Sequence, residues 1–177
     1  MSATRLARAV RGFSLIEVLI AVLVVAIGLL GFAKMQALAV GSTRSSGTRA
    51  IVALQTSALA AAMRANEAYW AAGLAPATFT VNGAVLSDST LNGFAVNCTS
   101  GVCTPAQMAA FDLKNWGTSL LALFPSSGGT VSCSTVVGSP VTCTITVSWS
   151  EKTVAINAAT AVGSAPRTLN YTLLVQP

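Results

Sequence analysis

The N-terminal region contains a long apolar run that holds a single carboxylate. The run extends from Phe13 to Ala33, and Glu17 lies near its start. As a helix, this segment would rise about 30 Å, roughly the thickness of the hydrocarbon core of a bilayer. A charged side chain at that depth costs on the order of 2.5–3.5 kcal/mol on insertion scales, so an intramembrane carboxylate is a functional-site hypothesis. The pattern predicts a membrane-spanning helix in which Glu17 meets a cation.

Two other interpretations of the same run stay open. In the first, the run is a plain signal anchor, and Glu17 stays hydrated near the cytoplasmic interface. In the second, it is a cleavable secretory signal peptide with a small-residue site at Ala37-Leu38-Ala39, so that the mature chain begins at Val40. Two features argue against the signal-peptide interpretation. Lys34 precedes that site, and the apolar core is longer than the usual 7–15 residues.

The charge balance points to membrane topology. The chain has 177 residues and a formal net charge of +5, and residues 1–12 contain Arg5, Arg8 and Arg11 but no acidic residue. Without residues 1–12 the balance falls to seven basic and five acidic groups. The basic character is therefore mainly a positive-inside signal. No other cluster of Lys and Arg occurs, so nucleic-acid binding is not indicated.

The residues that usually carry catalysis are scarce. Histidine, the commonest general base and metal ligand, is absent. The other acidic residues are scattered without a paired spacing: Glu67, Asp88, Asp112 and Glu151. No nucleophile elbow, phosphate-binding loop or dinucleotide fingerprint is present. The sequence therefore predicts a protein that is not an enzyme and that carries no cofactor or metal.

Four cysteines follow the apolar run, at Cys98, Cys103, Cys133 and Cys143. An even number beyond an export segment indicates an oxidising compartment and two disulfides, for which three pairings are possible. Sequence spacing favours Cys98–Cys103 and Cys133–Cys143. A three-residue loop centred on Gly138 would place Cys133 opposite Cys143 on neighbouring strands. The alternative is a structural zinc site with four thiolate ligands, but the cysteine spacing is not the usual paired C-x2-C.

The first part of the chain predicts a long helix. Residues 13–40 are typical of a continuous helix, and Gly41 to Gly47 form a polar interruption that is either a flexible helical segment or a short break. From Thr48 apolar residues recur at helical spacing. They are Ile51, Leu54, Ala58, Leu59, Ala62 and Met63. This half of the helix is expected to pack on a sheet.

The remaining pattern mixes strands and one strong helix. Between Asn66 and Asn97 the sequence predicts loops with short strands at Thr78–Leu86 and Phe94–Asn97. A Thr104-x-x-Gln107 capping box with Pro105 in the first turn predicts a helix over 105–123, with a loosening at Gly117. Alternating patterns predict strands over 130–137, 141–150 and 168–175. The tryptophans Trp70, Trp116 and Trp149 are predicted to lie in the core.

One short motif resembles that of a known family. The string Gly12-Phe13-Ser14-Leu15-Ile16-Glu17 resembles the cleavage motif of type IV prepilins, in the type IV pilin-like superfamily. The resemblance implies that prepilin peptidase cuts between Gly12 and Phe13 and that Phe13 becomes the methylated N-terminus. It also makes Glu17 the assembly-register carboxylate, paired with the Phe13 amine of the same or a neighbouring subunit.

Later segments resemble the PilV group of minor pilins, also called type IV pilus modification proteins. The segments are Met63–Asn66, Cys103–Leu113 with Trp116, Thr130–Cys133 and Ile145–Trp149. The implied function is to prime type IV pili or to enter them, in support of twitching motility and adhesion. The implied partners are prepilin peptidase, other minor pilins, the major pilin and the inner-membrane assembly platform, with the lipid bilayer before assembly.

The resemblance also implies a domain organisation and an α+β pilin-like fold. Residues 1–12 form a leader, residues 13–47 the transmembrane and assembly helix, and residues 48–177 a periplasmic globular domain that later lies on the cell surface. In this fold a long N-terminal helix packs on an antiparallel sheet, with an additional helix near 105–123. A pseudopilin of a type II secretion system and an adhesin-like ligand-binding module are the alternative functions.

Overall fold

The computed structural model describes residues 12–134, 136, 139–151 and 166–177. The chain divides into two units, residues 1–41 and residues 42–177. The described helices are α1 (Leu15–Ala65), α2 (Glu67–Trp70), α3 (Ser89–Gly93) and α4 (Pro105–Leu123). The described strands are β1 (Thr78–Asn82), β2 (Val85–Leu86), β3 (Gly128–Ser134), β4 (Thr142–Glu151) and β5 (Arg167–Val175).

The strands form one antiparallel sheet in the order β2-β1-β3-β4-β5. The second half of α1 packs on this sheet, and α4 contributes to the same core. The predicted α+β architecture is therefore confirmed, and it is consistent with the type IV pilin fold.

Helix α1 begins two residues later than predicted and includes the polar segment from Gly41 to Gly47. The break considered for that segment does not occur. Its buried positions are Val52, Thr56, Leu59, Ala60 and Met63. Apart from the adjacent pair Leu59 and Ala60, they recur at intervals of three and four residues, which defines one face of a helix.

The predicted stripe on α1 was partly wrong. Leu59 and Met63 are buried as expected, but Ile51 and Leu54 are 41% and 68% exposed. The true face is rotated because Thr56 belongs to it. The Thr56 hydroxyl donates to the Val52 carbonyl at 2.8 Å, so this polar side chain is buried without an unsatisfied group. A pattern based on apolar residues alone does not identify a buried threonine of this kind.

Helix α4 spans the predicted residues, and its capping box is confirmed. The Gln107 amide donates to the Thr104 hydroxyl at 3.3 Å, and the Thr104 amide donates to the Gln107 side-chain oxygen at 2.9 Å. The loosening expected at Gly117 was wrong. Gly117 is buried within the helix, and a Cβ there would overlap the Gly83 carbonyl oxygen and the Val81 side chain. The glycine therefore allows α4 to approach the β1–β2 hairpin closely.

One face of the sheet is buried as the alternation predicted. Ile145, Val147 and Trp149 of β4 are all 3% exposed or less. On β5, Leu169, Tyr171 and Leu173 pack against this core, while Leu174 points outward and is exposed.

The three tryptophans are all buried, which confirms their predicted core positions. Trp70 packs against Phe79, with ring centroids 6.4 Å apart, and edge-on against Tyr69 at 5.1 Å. The Trp116 indole N–H donates to the Gln55 carbonyl oxygen at 2.9 Å. This bond ties α4 directly to the backbone of α1.

Between Asn66 and Asn97 the structure differs from the prediction in two places. The predicted strand at 78–86 is a hairpin of two strands, and Gly83 between them has a φ of 56°, which favours glycine. The predicted strand at Phe94–Asn97 does not form. The Lys114 ammonium instead donates hydrogen bonds to the carbonyl oxygens of Asn92 at 2.8 Å and Phe94 at 2.6 Å. A side chain rather than a neighbouring strand therefore binds the backbone at these two residues.

Two disulfides are present in the second unit. Cys98–Cys103 closes a short loop before α4, and Cys133–Cys143 joins β3 to β4, where the two residues lie directly opposite each other in the register. Thr130 to Ser134 of the predicted strand lies in β3. Val136 of the predicted strand is not in a strand, and Thr135, Val137 and Gly138 of the predicted strand and turn lie outside the described residues.

We expect Gly117→Ala to lower the free energy of unfolding by about 1–3 kcal/mol, because the added methyl group overlaps backbone that cannot move independently. Gly93→Ala is the matched control, since a Cβ at Gly93 meets nothing within 4 Å. Chemical denaturation of the full chain in detergent measures both. Equal stabilities of the two variants would contradict the close approach of α4 to the hairpin.

We also expect replacement of Cys133 and Cys143 by alanine to destabilise the second unit more than replacement of Cys98 and Cys103. In the loop-closure model, loss of either disulfide lowers the free energy of unfolding by on the order of 2–3 kcal/mol, because the unfolded chain gains conformational entropy. Cys143 is also fully buried, so its truncation removes core contacts. The same denaturation experiment compares the two double variants, and a larger loss for the Cys98 and Cys103 pair would overturn this ranking.

Candidate functional site

The segment at the predicted cleavage position is exposed and lies outside the helix. Gly12, Phe13 and Ser14 have no regular secondary structure, and Phe13 is 84% exposed. The Ser14 carbonyl oxygen accepts from the amides of Glu17 at 3.0 Å and Val18 at 3.3 Å, which begins the helix. A peptide bond just before a helix N-terminus is accessible to a peptidase without unwinding of the helix.

The predicted leader lies outside the described residues except for Gly12. This includes Arg5, Arg8 and Arg11, on which the topology argument rests.

Glu17 lies in the first turn of α1, where it is exposed. A carboxylate in the first turn is favoured by the unpaired backbone N–H groups of the helix N-terminus. Phe13 precedes it by four positions, which is one helical turn. In the uncut chain the Phe13 nitrogen is a peptide amide, so a cation at this position arises only after cleavage. The pairing of Glu17 with that amine stays a prediction.

The side chains that follow Glu17 are mostly apolar, and they are uncovered. From Phe13 to Val40 all of them are exposed. By length and composition α1 is apolar enough to cross a membrane, with a mean hydropathy of 2.9 in an 18-residue window of which none is buried. Helices in lipid have no need of an apolar protein partner, whereas in water this surface would be strongly unfavourable.

The predicted disulfide residues lie in the second unit, away from this segment in the sequence. All four cysteines are oxidised in pairs, so no thiolate of the described residues is left as a zinc ligand. Nor do the described residues contain a group of three or more His, Cys, Asp or Glu side chains that could hold a metal ion.

Two acidic residues that carried no assigned role hold parts of the second unit together. The Asp88 carboxylate caps α3 by accepting from the Leu91 amide at 2.8 Å. The Glu151 carboxylate accepts from the Ser45 hydroxyl at 3.0 Å and from the Trp149 indole N–H at 3.2 Å, which ties the end of β4 to α1. Asp88 precedes a serine and a threonine, a pattern typical of a helix start, whereas nothing local in the sequence indicates the contact between Ser45 and Glu151.

Comparison with known proteins gives one match. Residues 7–33 match the family model described as the prokaryotic N-terminal methylation motif. Neither the curated protein sequences nor the solved structures give a significant match to the chain. The matched segment contains Gly12, Phe13 and Glu17, together with most of the uncovered apolar helix. The motif, the long N-terminal helix and the antiparallel sheet together support a pilin-like protein of the type IV pilin or pseudopilin kind.

Proposed function

We propose that this chain is a minor pilin of the PilV type, which enters type IV pili or primes their assembly and so supports twitching motility and adhesion. The observation that carries the proposal is the uncovered apolar helix, with Glu17 in its first turn, inside the segment that matches the methylation motif. The similarity of the segments around Cys103–Leu113 and Ile145–Trp149 to PilV proteins supports the minor-pilin assignment.

Processing comes first in this proposal. The chain is held in the inner membrane by α1, with residues 48–177 in the periplasm and the basic leader in the cytoplasm. Prepilin peptidase cuts between Gly12 and Phe13, and the new amine of Phe13 is methylated. The exposed, non-helical geometry of residues 12–14 supports this step, because a peptidase requires an extended segment.

Assembly then moves the apolar helix from lipid into a filament. The helix loses its lipid contacts on leaving the bilayer, and packing against the helices of other minor pilins and the major pilin covers the same surface. Apolar area is worth roughly 25 cal/mol per Å² against water, so a subunit whose helix stays uncovered is strongly disfavoured. The inner-membrane assembly platform is the partner that delivers the subunit.

Glu17 sets the axial register in this proposal. An apolar helix bundle by itself tolerates sliding, because one apolar contact replaces another of similar energy. A carboxylate in such a bundle is penalised unless it is paired. Pairing of Glu17 with the Phe13 amine of the same or a neighbouring subunit removes this penalty at one position only.

The alternatives make different predictions about the assembly in which the chain occurs. A type II secretion pseudopilin shares the motif and the fold, but would be recovered with a secretion apparatus and not with retractable pili. An adhesin-like module would bind a surface ligand without any filament.

The first prediction concerns the N-terminal residue of the protein recovered from membranes and from sheared pili. Mass spectrometry should find N-methyl-Phe13 in both fractions. A start at Val40 would indicate a secreted domain released by signal peptidase, and an intact Met1 would indicate a plain signal anchor. Either result would remove the filament proposal.

We expect Glu17→Ala to reduce incorporation into sheared pili by roughly tenfold or more, because loss of one partner of a buried ion pair costs about 3–5 kcal/mol. The second unit should stay folded, since its core contains no residue of the first turn. Glu67→Ala is the matched control, because it removes an exposed carboxylate outside the apolar run. Quantitative immunoblots of pili and membranes measure both variants, and normal incorporation of Glu17→Ala would exclude the register role.

A further inference from the structure

A groove of about 210 Å³ lies between α1 and α4 in the second unit. Polar side chains at its surface come from both helices: Gln55 from α1, and Asp112, Asn115 and Ser119 from α4. On α4 these three follow one another at intervals of three and four residues, so they share one face of the helix. The indole of Trp116 forms part of the wall and is held by its hydrogen bond to the Gln55 carbonyl oxygen.

Asp112 is the acidic residue among those that line this groove. The side chain is partly buried, and this desolvation raises the pKa of its carboxyl above the ordinary value. The nearest basic residue along α4 is Lys114, whose ammonium is already held by the Asn92 and Phe94 carbonyl oxygens. The fold therefore keeps a carboxylate in a place where ionisation is penalised and where the described residues supply no partner.

The size and chemistry of the groove suit one side chain rather than a small-molecule substrate. Small-molecule pockets usually have volumes of about 300–1,000 Å³, larger than this groove. A guanidinium group has five N–H donors in a planar fork, which matches a carboxylate in a bidentate manner. The side-chain oxygens of Asn115 and Gln55 provide further acceptors at the surface of the groove.

We infer that this groove receives an arginine side chain of a neighbouring pilus subunit, with Asp112 as its carboxylate partner. The inference rests on the proposed function, because it takes the neighbour to be a pilin. Pilin subunits present such side chains: Arg49 and Arg64 are exposed on α1 of this chain. The contact is independent of Glu17, and it gives the second unit its own means of selecting a partner through charge and shape.

The test uses the full chain in its own host, with the photo-reactive residue p-benzoylphenylalanine in place of Ser119 at the exposed rim of the groove. Irradiation of pili, followed by mass spectrometry, should give a cross-link to an arginine-containing segment of another subunit. Asp112→Asn should lower the cross-link yield by roughly tenfold or more, as expected for loss of one partner of a desolvated charge pair. Glu67→Gln is the control, because it neutralises an exposed carboxylate outside the groove and should leave the yield unchanged.

Folding of the Asp112→Asn variant is measured separately by thermal unfolding in detergent. A carboxyl whose pKa is raised in the folded state stabilises the fold less once it ionises, so at neutral pH the amide should give an equal or higher Tm. A cross-link that persists at wild-type yield in Asp112→Asn would overturn the inference, as would the absence of any cross-link in pili that contain the chain. A cross-link to a second copy of this chain would support the groove contact and identify the partner as self.

Failure of the proposed function is distinguishable from failure of this inference. Absence of N-methyl-Phe13, or absence of the wild-type chain from pili, would overturn the proposed function and with it the pilin identity of the partner. The groove itself is then tested with methylguanidinium and the full chain in detergent micelles, by the NMR shifts of the Asn115 side-chain amide and the Trp116 indole. Shifts that saturate in the wild type and vanish in Asp112→Asn would support a guanidinium site, and unchanged spectra would exclude it.

Discussion

Apolar surface has to be covered, and the two units of this chain meet that requirement in different ways. The second unit buries a core of its own apolar side chains, which come from α1, α4 and one face of the sheet. In the first unit, the apolar side chains of the described residues from Phe13 to Val40 are all uncovered, as suits a helix that lies in lipid. The carboxylate of Glu17 lies in the first turn of that uncovered helix, beside unpaired backbone N–H groups that favour a negative charge.

Local signals in the sequence predicted much of the second unit. The capping box at Thr104 and Gln107 fixes the start of α4, because both hydrogen bonds form within four residues. The alternation along β4 and β5 fixes the buried face of the sheet, since a shift by one residue would expose Ile145 and Val147. The candidate processing segment could also be predicted, because a short motif and an apolar run are recognised without knowledge of the rest of the fold.

The features that sequence patterns did not predict depend on contacts between distant residues. Thr56 enters the buried face of α1 because its hydroxyl is satisfied by the Val52 carbonyl, so polarity alone misplaced that face. The predicted strand at Phe94–Asn97 starts at a carbonyl group that Lys114 of the next helix binds, and no local pattern distinguishes such a segment from an edge strand. The groove at Asp112 likewise exists only because α1 and α4 lie side by side, although Asp112 itself is visible in the sequence.

The loop between Cys98 and Cys103 lies between two fixed points. The disulfide closes it, and the capping box of α4 begins at the next residue, so the path of the chain on leaving the loop does not depend on the residues inside it. The four residues from Thr99 to Val102 are all exposed and make no contribution to the core. Substitutions that keep both cysteines can therefore change the surface of this loop while leaving the core of the second unit intact.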